Sequence, residues 1–285
     1  MKYRTFGRTG LKVSIFGFGG IVVMGKEQKE ANKYVAEAVE RGVNLFDVGP
    51  TYGDAQEKLG PALKPFRDEV VLTCKTEPEQ SKKKVWADIK DSLEKLKTDY
   101  LDVYQLHEVT EKEAMEKALA PGGALEAIEE AKDEGLIKYV GFSSHGQDFA
   151  LDLMEAYDFD TVMFPINWNN WFNAGEGKKV IARARETNKG IMAIKALAHR
   201  QWKDDDDRND YNVWYKPLFD NDELAELALR FSLTRDIDSA ISPGDIRMLN
   251  KGLDIVEKYE DNLELSAAEK EKLQEYVEKV DTALY

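Results

Sequence analysis

Short apolar segments alternate with longer charged ones along nearly the whole chain. Eight apolar segments stand out, beginning near Ile15 (IFGFGG), Val43 (VNLFDV), Val70 (VVLTCK), Leu101 (LDVYQLH), Ile137 (IKYVGFSS), Thr161 (TVMFPIN), Gly190 (GIMAIKAL) and Asp238 (DSAIS). Each is too short for a helix and rich in β-branched or aromatic residues, which predicts a buried strand. The stretches between them carry a helical period. In residues 26–42 the apolar positions are Val35, Ala38 and Val39, and the stretch ends on Gly42. Residues 81–97 place Val85, Ile89, Leu93 and Leu96 on one face. Residues 122–135 start after Pro121 and end on Gly135, the usual punctuation of a helix. Further helices are predicted around 148–157, 175–188, 221–233 and 246–260.

Repeated strand-then-helix units predict a parallel sheet, because parallel neighbours need a crossover between them. Closed on itself, such a sheet is a (β/α)8 TIM barrel, an α/β fold of about 250 residues. The rest of the length goes to the two ends. Residues 1–14, with turn signals at Gly7 and Gly10, predict a β-hairpin that covers the barrel floor. A capping box at Ser266 and Glu269 opens a C-terminal helix that runs to about Val280. No Pro/Ser-rich linker breaks the pattern, so one domain is expected over residues 1–285. An open doubly wound sheet is the runner-up. It would carry a phosphate-binding glycine fingerprint after its first strand, and the GFGG run from Gly17 to Gly20 lacks the third glycine and the later acidic residue. Close packing at a strand end explains that run better.

Composition narrows the function. The 285 residues carry 54 acidic against 40 basic side chains, a net charge of −14. That balance argues against a nucleic-acid binder, which needs clustered cations for phosphate contacts. A single cysteine, Cys74, leaves no intrachain disulfide, multi-cysteine metal site or iron–sulfur domain. No run of 18 apolar residues predicts a membrane span, and the opening MKYRTFGRTGLKV has no apolar signal core. The protein is expected to be soluble and cytoplasmic.

In a barrel the chemistry sits at the carboxyl ends of the strands. Three otherwise apolar strands end on a polar residue there: Asp47, Lys75 and His107. Strand alternation lets all three point into one mouth, with Thr73 and Val71 inward below Lys75, and Val103 and Leu101 inward below His107. A buried lysine needs a partner, and Asp47 is the obvious one. Tyr52 follows in the loop DVGPTYGDAQEKLG. A phenol is a poor acid–base catalyst at neutral pH unless a nearby ammonium stabilises the phenolate and lowers its pKa. Tyr52 beside Lys75 is therefore a candidate proton donor to an oxygen gaining negative charge, and His107 can add a second hydrogen bond. Each residue alone is more often structural than catalytic; four converging on one mouth point to a site.

These segments resemble the aldo-keto reductase family over almost the whole chain. YRTFGRTGLKVSIFGFGG is similar to its N-terminal hairpin and first strand, NLFDVGPTYGDAQEKLG to its Asp/Tyr segment, VVLTCKTE to its Lys strand, YLDVYQLHEV to its His strand, GLIKYVGFSSH to its fifth strand and the SPG run at Ser242 to its eighth. The resemblance implies a (β/α)8 barrel that binds a nicotinamide dinucleotide in extended form and transfers its hydride to the carbonyl carbon of a small molecule. It implies that Tyr52 is the acid, Lys75 lowers its pKa, Asp47 holds Lys75 and His107 positions the carbonyl. It also implies cofactor contacts at Gly20, Ile21, Ser143, Asn167, Ser242 and Gly244. Ser144 takes the place of the usual asparagine and precedes His145. The aromatic that often stacks on the nicotinamide is replaced around Ile194 and Lys195, and Lys195 is assigned to the pyrophosphate instead. Arg247, at the start of the last barrel helix, is the candidate partner of a 2′-phosphate, and the family favours NADP(H) over NAD(H). The FSSH and KAL runs resemble a branch some of whose members add a ferredoxin-like domain, which a chain with one cysteine does not carry. Two alternatives stay open: a cofactor-binding regulatory subunit with little turnover, like the potassium-channel β subunits, and a sugar or polyol dehydrogenase working in the oxidative direction. Oligomeric state is not legible.

The remaining features carry less. The connection from Ala196 to Asp220 lacks periodicity and holds His199, Arg200, Trp202, Trp214 and Tyr215, which wall a pocket or pack the loop. NWNNW, from Asn167 to Trp171, is equally ambiguous. The run Asp204 to Asp207 lacks the spacing of a calcium loop, and His145 lacks a second ligand, so no metal site is expected.

Overall fold

A computed structural model describes residues 1–208, 212–280 and 284. The chain opens with a hairpin of β1 (Tyr3–Thr5) and β2 (Lys12–Ser14). Then come β3 (Phe16–Gly19), α1 (Gln28–Glu40), β4 (Leu45–Asp47), α2 (Ala55–Leu63), β5 (Val71–Thr76), α3 (Lys82–Leu96) and β6 (Leu101–Leu106). The second half runs through α4 (Lys112–Leu119), α5 (Ala124–Asp133), β7 (Ile137–Ser143), α6 (Gln147–Ala156), β8 (Thr161–Pro165), α7 (Lys178–Glu186) and β9 (Gly190–Ile194). A small hairpin of β10 (Ala198–Arg200) and β11 (Lys216–Pro217) precedes α8 (Asp222–Leu233), β12 (Ser239–Ile241), α9 (Ile246–Lys258) and α10 (Ala267–Val277). The parallel strands close in the order β12-β3-β4-β5-β6-β7-β8-β9, the expected eight-stranded (β/α)8 barrel.

Two apolar layers follow from strand alternation. Leu45, Val71, Val103, Met163, Met192 and Ile241 fill the barrel interior, while the opposite strand faces pack under the helices. The N-terminal hairpin plugs the floor: Phe6 joins the interior cluster and packs against Gly190 of β9. A Cβ on Gly190 would come within 2.5 Å of the Phe6 ring, so only glycine lets the plug seat. Arg8 locks the plug by hydrogen bonds to Asp158 and Asp160, and Tyr139 donates to the Thr9 carbonyl at 2.7 Å. The floor is closed, and the opposite end is left for chemistry.

Two helices were not legible in the sequence. α2 occupies AQEKLGPAL, whose first residues belong to the stretch read as loop. Pro61 sits inside it, and Gly60 lets it press on the end of α3, since a Cβ there would meet the Lys95 carbonyl at 2.1 Å. α4 precedes the predicted helix at α5 and buries only Ala114 and Ala118. No helix among the described residues is long and apolar enough to cross a membrane.

Candidate active site

At the carboxyl ends of the strands lies a cavity of about 580 Å³, within the usual range for a small-molecule site. Asp47, the last residue of β4, sits beside Thr73 of β5 in the barrel register. Its Oδ2 accepts from Lys75 Nζ. Its Oδ1 accepts from Thr73 Oγ1 at 2.6 Å and from Gln105 Nε2 at 3.3 Å. The ion pair is almost dry, with the Lys75 side chain 1% and that of Asp47 5% exposed. Removing one partner of such a pair strands a buried charge, at a cost of about 3–5 kcal/mol. The barrel must therefore supply both.

Tyr52 stands over this pair. A turn places it: its amide donates to Gly49 O, Ala55 N donates to its carbonyl, and Gly53 takes φ +54°. Lys75 Nζ lies 5.3 Å from the Tyr52 ring centroid. Burial is the largest influence on the phenol and raises its pKa above 10; Lys75 pulls it back without winning. The expectation that Lys75 lowers the phenol's pKa holds for that single interaction, while the net direction in the folded protein is upward. Burial also disfavours the Lys75 ammonium, but Asp47 and Tyr52 more than offset it, so the lysine is held charged. His107 meets the Tyr52 ring edge-on with centroids 6.0 Å apart, and its Nδ1 lies 3.0 Å from Glu77 Oε1. Trp214, 61% exposed, leans on the outer side of Tyr52 at 5.7 Å.

The structure brings Asp47, Tyr52, Lys75 and His107 to this one cavity, together with Gly20, Ile21, Ser143, Lys195, Ser242 and Gly244. Ser143 Oγ accepts from Glu108 N, and Ser242 Oγ from Gly19 N. Lys195 follows β9 in a left-handed conformation, φ +66°, and its Nζ lies 3.3 Å from His145 Nε2, whose Nδ1 is 3.1 Å from Glu108. Burial lowers the Lys195 pKa to about 6 against the opposing pull of Glu108. Ser144, Asn167 and Arg247 lie outside the cavity lining. Ser144 Oγ donates to Val109 O, and Asn167 Oδ1 accepts from Asn170 N. Arg247 is closed on Asp245, with Nε and Nη2 2.9 and 2.6 Å from its carboxylate.

Sequence reasoning missed Gln105 and Glu77 as partners of the tetrad and took Thr73 only as an inward residue. A polar residue at an inward strand position was the available signal for Gln105. In the Ala196–Asp220 connection, Trp214 and Tyr215 line the cavity, while Arg200 pairs with Asp206. Residues 209–211 of that connection lie outside the described residues. The acidic run there is thus partly an ion pair, and no metal-binding cluster occurs among the described residues.

The wall suits a nicotinamide. Ile21, Met163 and Ile194 offer an apolar face for a flat ring, and the Ser143 and Ser242 hydroxyls offer hydrogen bonds for a carboxamide.

The sequence profile of the aldo/keto reductase family matches residues 16–241. The oxidoreductase YqkF of Bacillus subtilis (strain 168) is 28% identical over 216 residues, covering 69% of this chain and 68% of that protein. The L-galactose dehydrogenase of Arabidopsis thaliana is 31% identical over 180 residues, 57% of this chain and 56% of that protein. In three dimensions the holo form of aldo-keto reductase AKR11C1 from Bacillus halodurans superposes with a TM-score of 0.74 at 23% identity, covering 100% of this chain and 98% of that one. The barrel, the polar strand ends and the profile match agree: this chain belongs to the aldo/keto reductase family, a family of oxidoreductases.

Proposed function

We propose that the chain reduces the carbonyl group of an aldehyde or ketone to an alcohol with NAD(P)H, with Tyr52 as the proton donor and NADP(H) as the preferred form. The observation that carries this is the dry Lys75–Asp47 pair beneath the Tyr52 phenol at the wall of a ligand-sized cavity. When bound, the nicotinamide supplies the hydride that goes to the carbonyl carbon. The chain's own residues handle the proton. Burial keeps the phenol protonated until the substrate oxygen becomes negative. Tyr52 Oη then donates, and the Lys75 ammonium stabilises the phenolate left behind. Asp47 keeps that ammonium charged in a dry site. Glu77 engages His107 Nδ1, which leaves Nε2 for the substrate oxygen: a neutral ring accepts from a product hydroxyl, and a protonated ring donates to a carbonyl.

Ile21, Ser143, Ser242 and Gly244 would hold the nicotinamide end, and Lys195 the pyrophosphate. Arg247 would meet a 2′-phosphate only by leaving Asp245. Purified protein with NADPH and a nitrobenzaldehyde should lose nicotinamide absorbance with time. Tight dinucleotide binding with no turnover on any aldehyde would favour the regulatory-subunit reading instead. The relative named for L-galactose oxidation makes the reverse direction worth the same assay, with NADP or NAD and a polyol.

A further inference from the structure

We propose that Thr73 and Gln105 are positioning residues that aim the charge of the Asp47–Lys75 pair at Tyr52. The inference rests on the function proposed above and concerns two residues that touch neither the cavity nor the phenol. Both are fully buried, and neither lines the cavity. They come from the next two strands of the barrel after β4: Thr73 lies opposite Asp47 in the β4–β5 register, and Gln105 lies opposite Lys75 in the β5–β6 register. Their hydrogen bonds converge on one carboxylate oxygen. Oδ1 accepts from Thr73 Oγ1 at 2.6 Å and Gln105 Nε2 at 3.3 Å, which leaves Oδ2 for Lys75.

This division of labour has an electrostatic consequence. A carboxylate without the two neutral donors would concentrate its negative charge on its remaining partner, the ammonium. The positive field that Lys75 projects onto the phenol would then be cancelled more fully, and the phenolate would be less stable. Neutral donors on Oδ1 draw part of that charge away and fix the plane of the carboxylate. The charged and titratable groups that act on Tyr52 are Lys75 and Cys74 of β5, Asp47 of β4 and His107 after β6. Of these, only the Lys75–Asp47 pair is under the control of Thr73 and Gln105. A merely structural role, satisfying a buried carboxylate, would change stability alone.

The test is alcohol oxidation, which needs the phenolate and therefore speeds up as pH rises. Thr73→Val and Gln105→Leu remove one donor each. Both should lower kcat about tenfold and leave KM within about twofold, with the pH profile of oxidation moved to the alkaline side by roughly one unit. Thr73→Ser, which keeps the hydroxyl, should restore the native profile. Should either apolar variant fail to fold by circular dichroism, Thr73→Ala and Gln105→Met, which also lack the donor, should move the profile the same way. Native pH profiles in the folded variants would overturn the proposal. If Tyr52→Phe is inactive while these profiles stay native, only this inference fails. If Tyr52→Phe turns over normally, the proposed function fails and takes the inference with it.

Discussion

Tyr52 is governed by two opposed forces, and their balance sets the direction in which it is useful. Burial holds the proton on and the Lys75 ammonium draws it off; burial is the larger, so the phenol rests protonated. As the proposed proton donor, such a phenol should support reduction through neutral and mildly alkaline pH and fail only as pH rises through its raised pKa. Lys195 has the opposite balance. Its pKa of about 6 makes it an ammonium below that pH and a neutral amine above it. If it holds a pyrophosphate, dinucleotide affinity should strengthen as pH falls through about 6, and Lys195→Met should flatten that dependence in a fluorescence titration. Arg247 is restrained by a neighbour two positions away. Asp245→Asn keeps the cap on α9, weakens its hold on the guanidinium and removes a repelling charge, so NADPH binding should tighten about tenfold with NADH little changed. Equal effects on both dinucleotides would remove Arg247 from the 2′-phosphate site.

Elements declared themselves in the sequence where one signal dominated. Most barrel strands are short apolar runs that end at or just before a polar or glycine residue, and α1, α3 and α9 carry a clean helical face. The signal failed where local and tertiary preferences conflict. α2 tolerates Pro61 and Gly60 because packing on α3 outweighs their low helix propensity. The site divided the same way. Asp47, Lys75 and His107 stand out as polar ends of apolar strands, whereas the inward turns of Ser144 and Asn167 depend on backbone geometry that no spacing encodes. At the far end of the chain the capping box is formed as expected: Ser266 Oγ accepts from Glu269 N, and Glu269 Oε2 accepts from Ser266 N at 2.7 Å. Glu269 also takes Arg230 of α8, which lowers its pKa to about 2 from an unfolded value of 4.5. Its folded-state pKa is depressed, so this stability is present above 4.5 and drains away as pH falls toward 2. Glu269→Gln should cost about 1 kcal/mol in urea unfolding at neutral pH and close to nothing near pH 2.

On the scale of the whole molecule, the barrel separates stability from chemistry. One end is sealed by Phe6 against Gly190 and tied by Arg8; the other holds the cavity and every member of the tetrad. Parallel pairing sets β4, β5 and β6 side by side, so that a carboxylate, an ammonium and an imidazole from separate parts of the chain meet around one phenol. The most direct measurement is therefore steady-state carbonyl reduction by Tyr52→Phe alongside a dinucleotide titration of the same protein. The hydroxyl is all that changes, so turnover should fall by about 10²–10⁴ while the dissociation constant for NADPH stays within about twofold of native. Turnover at the native rate with the hydroxyl gone would contradict the assignment of Tyr52 as the proton donor.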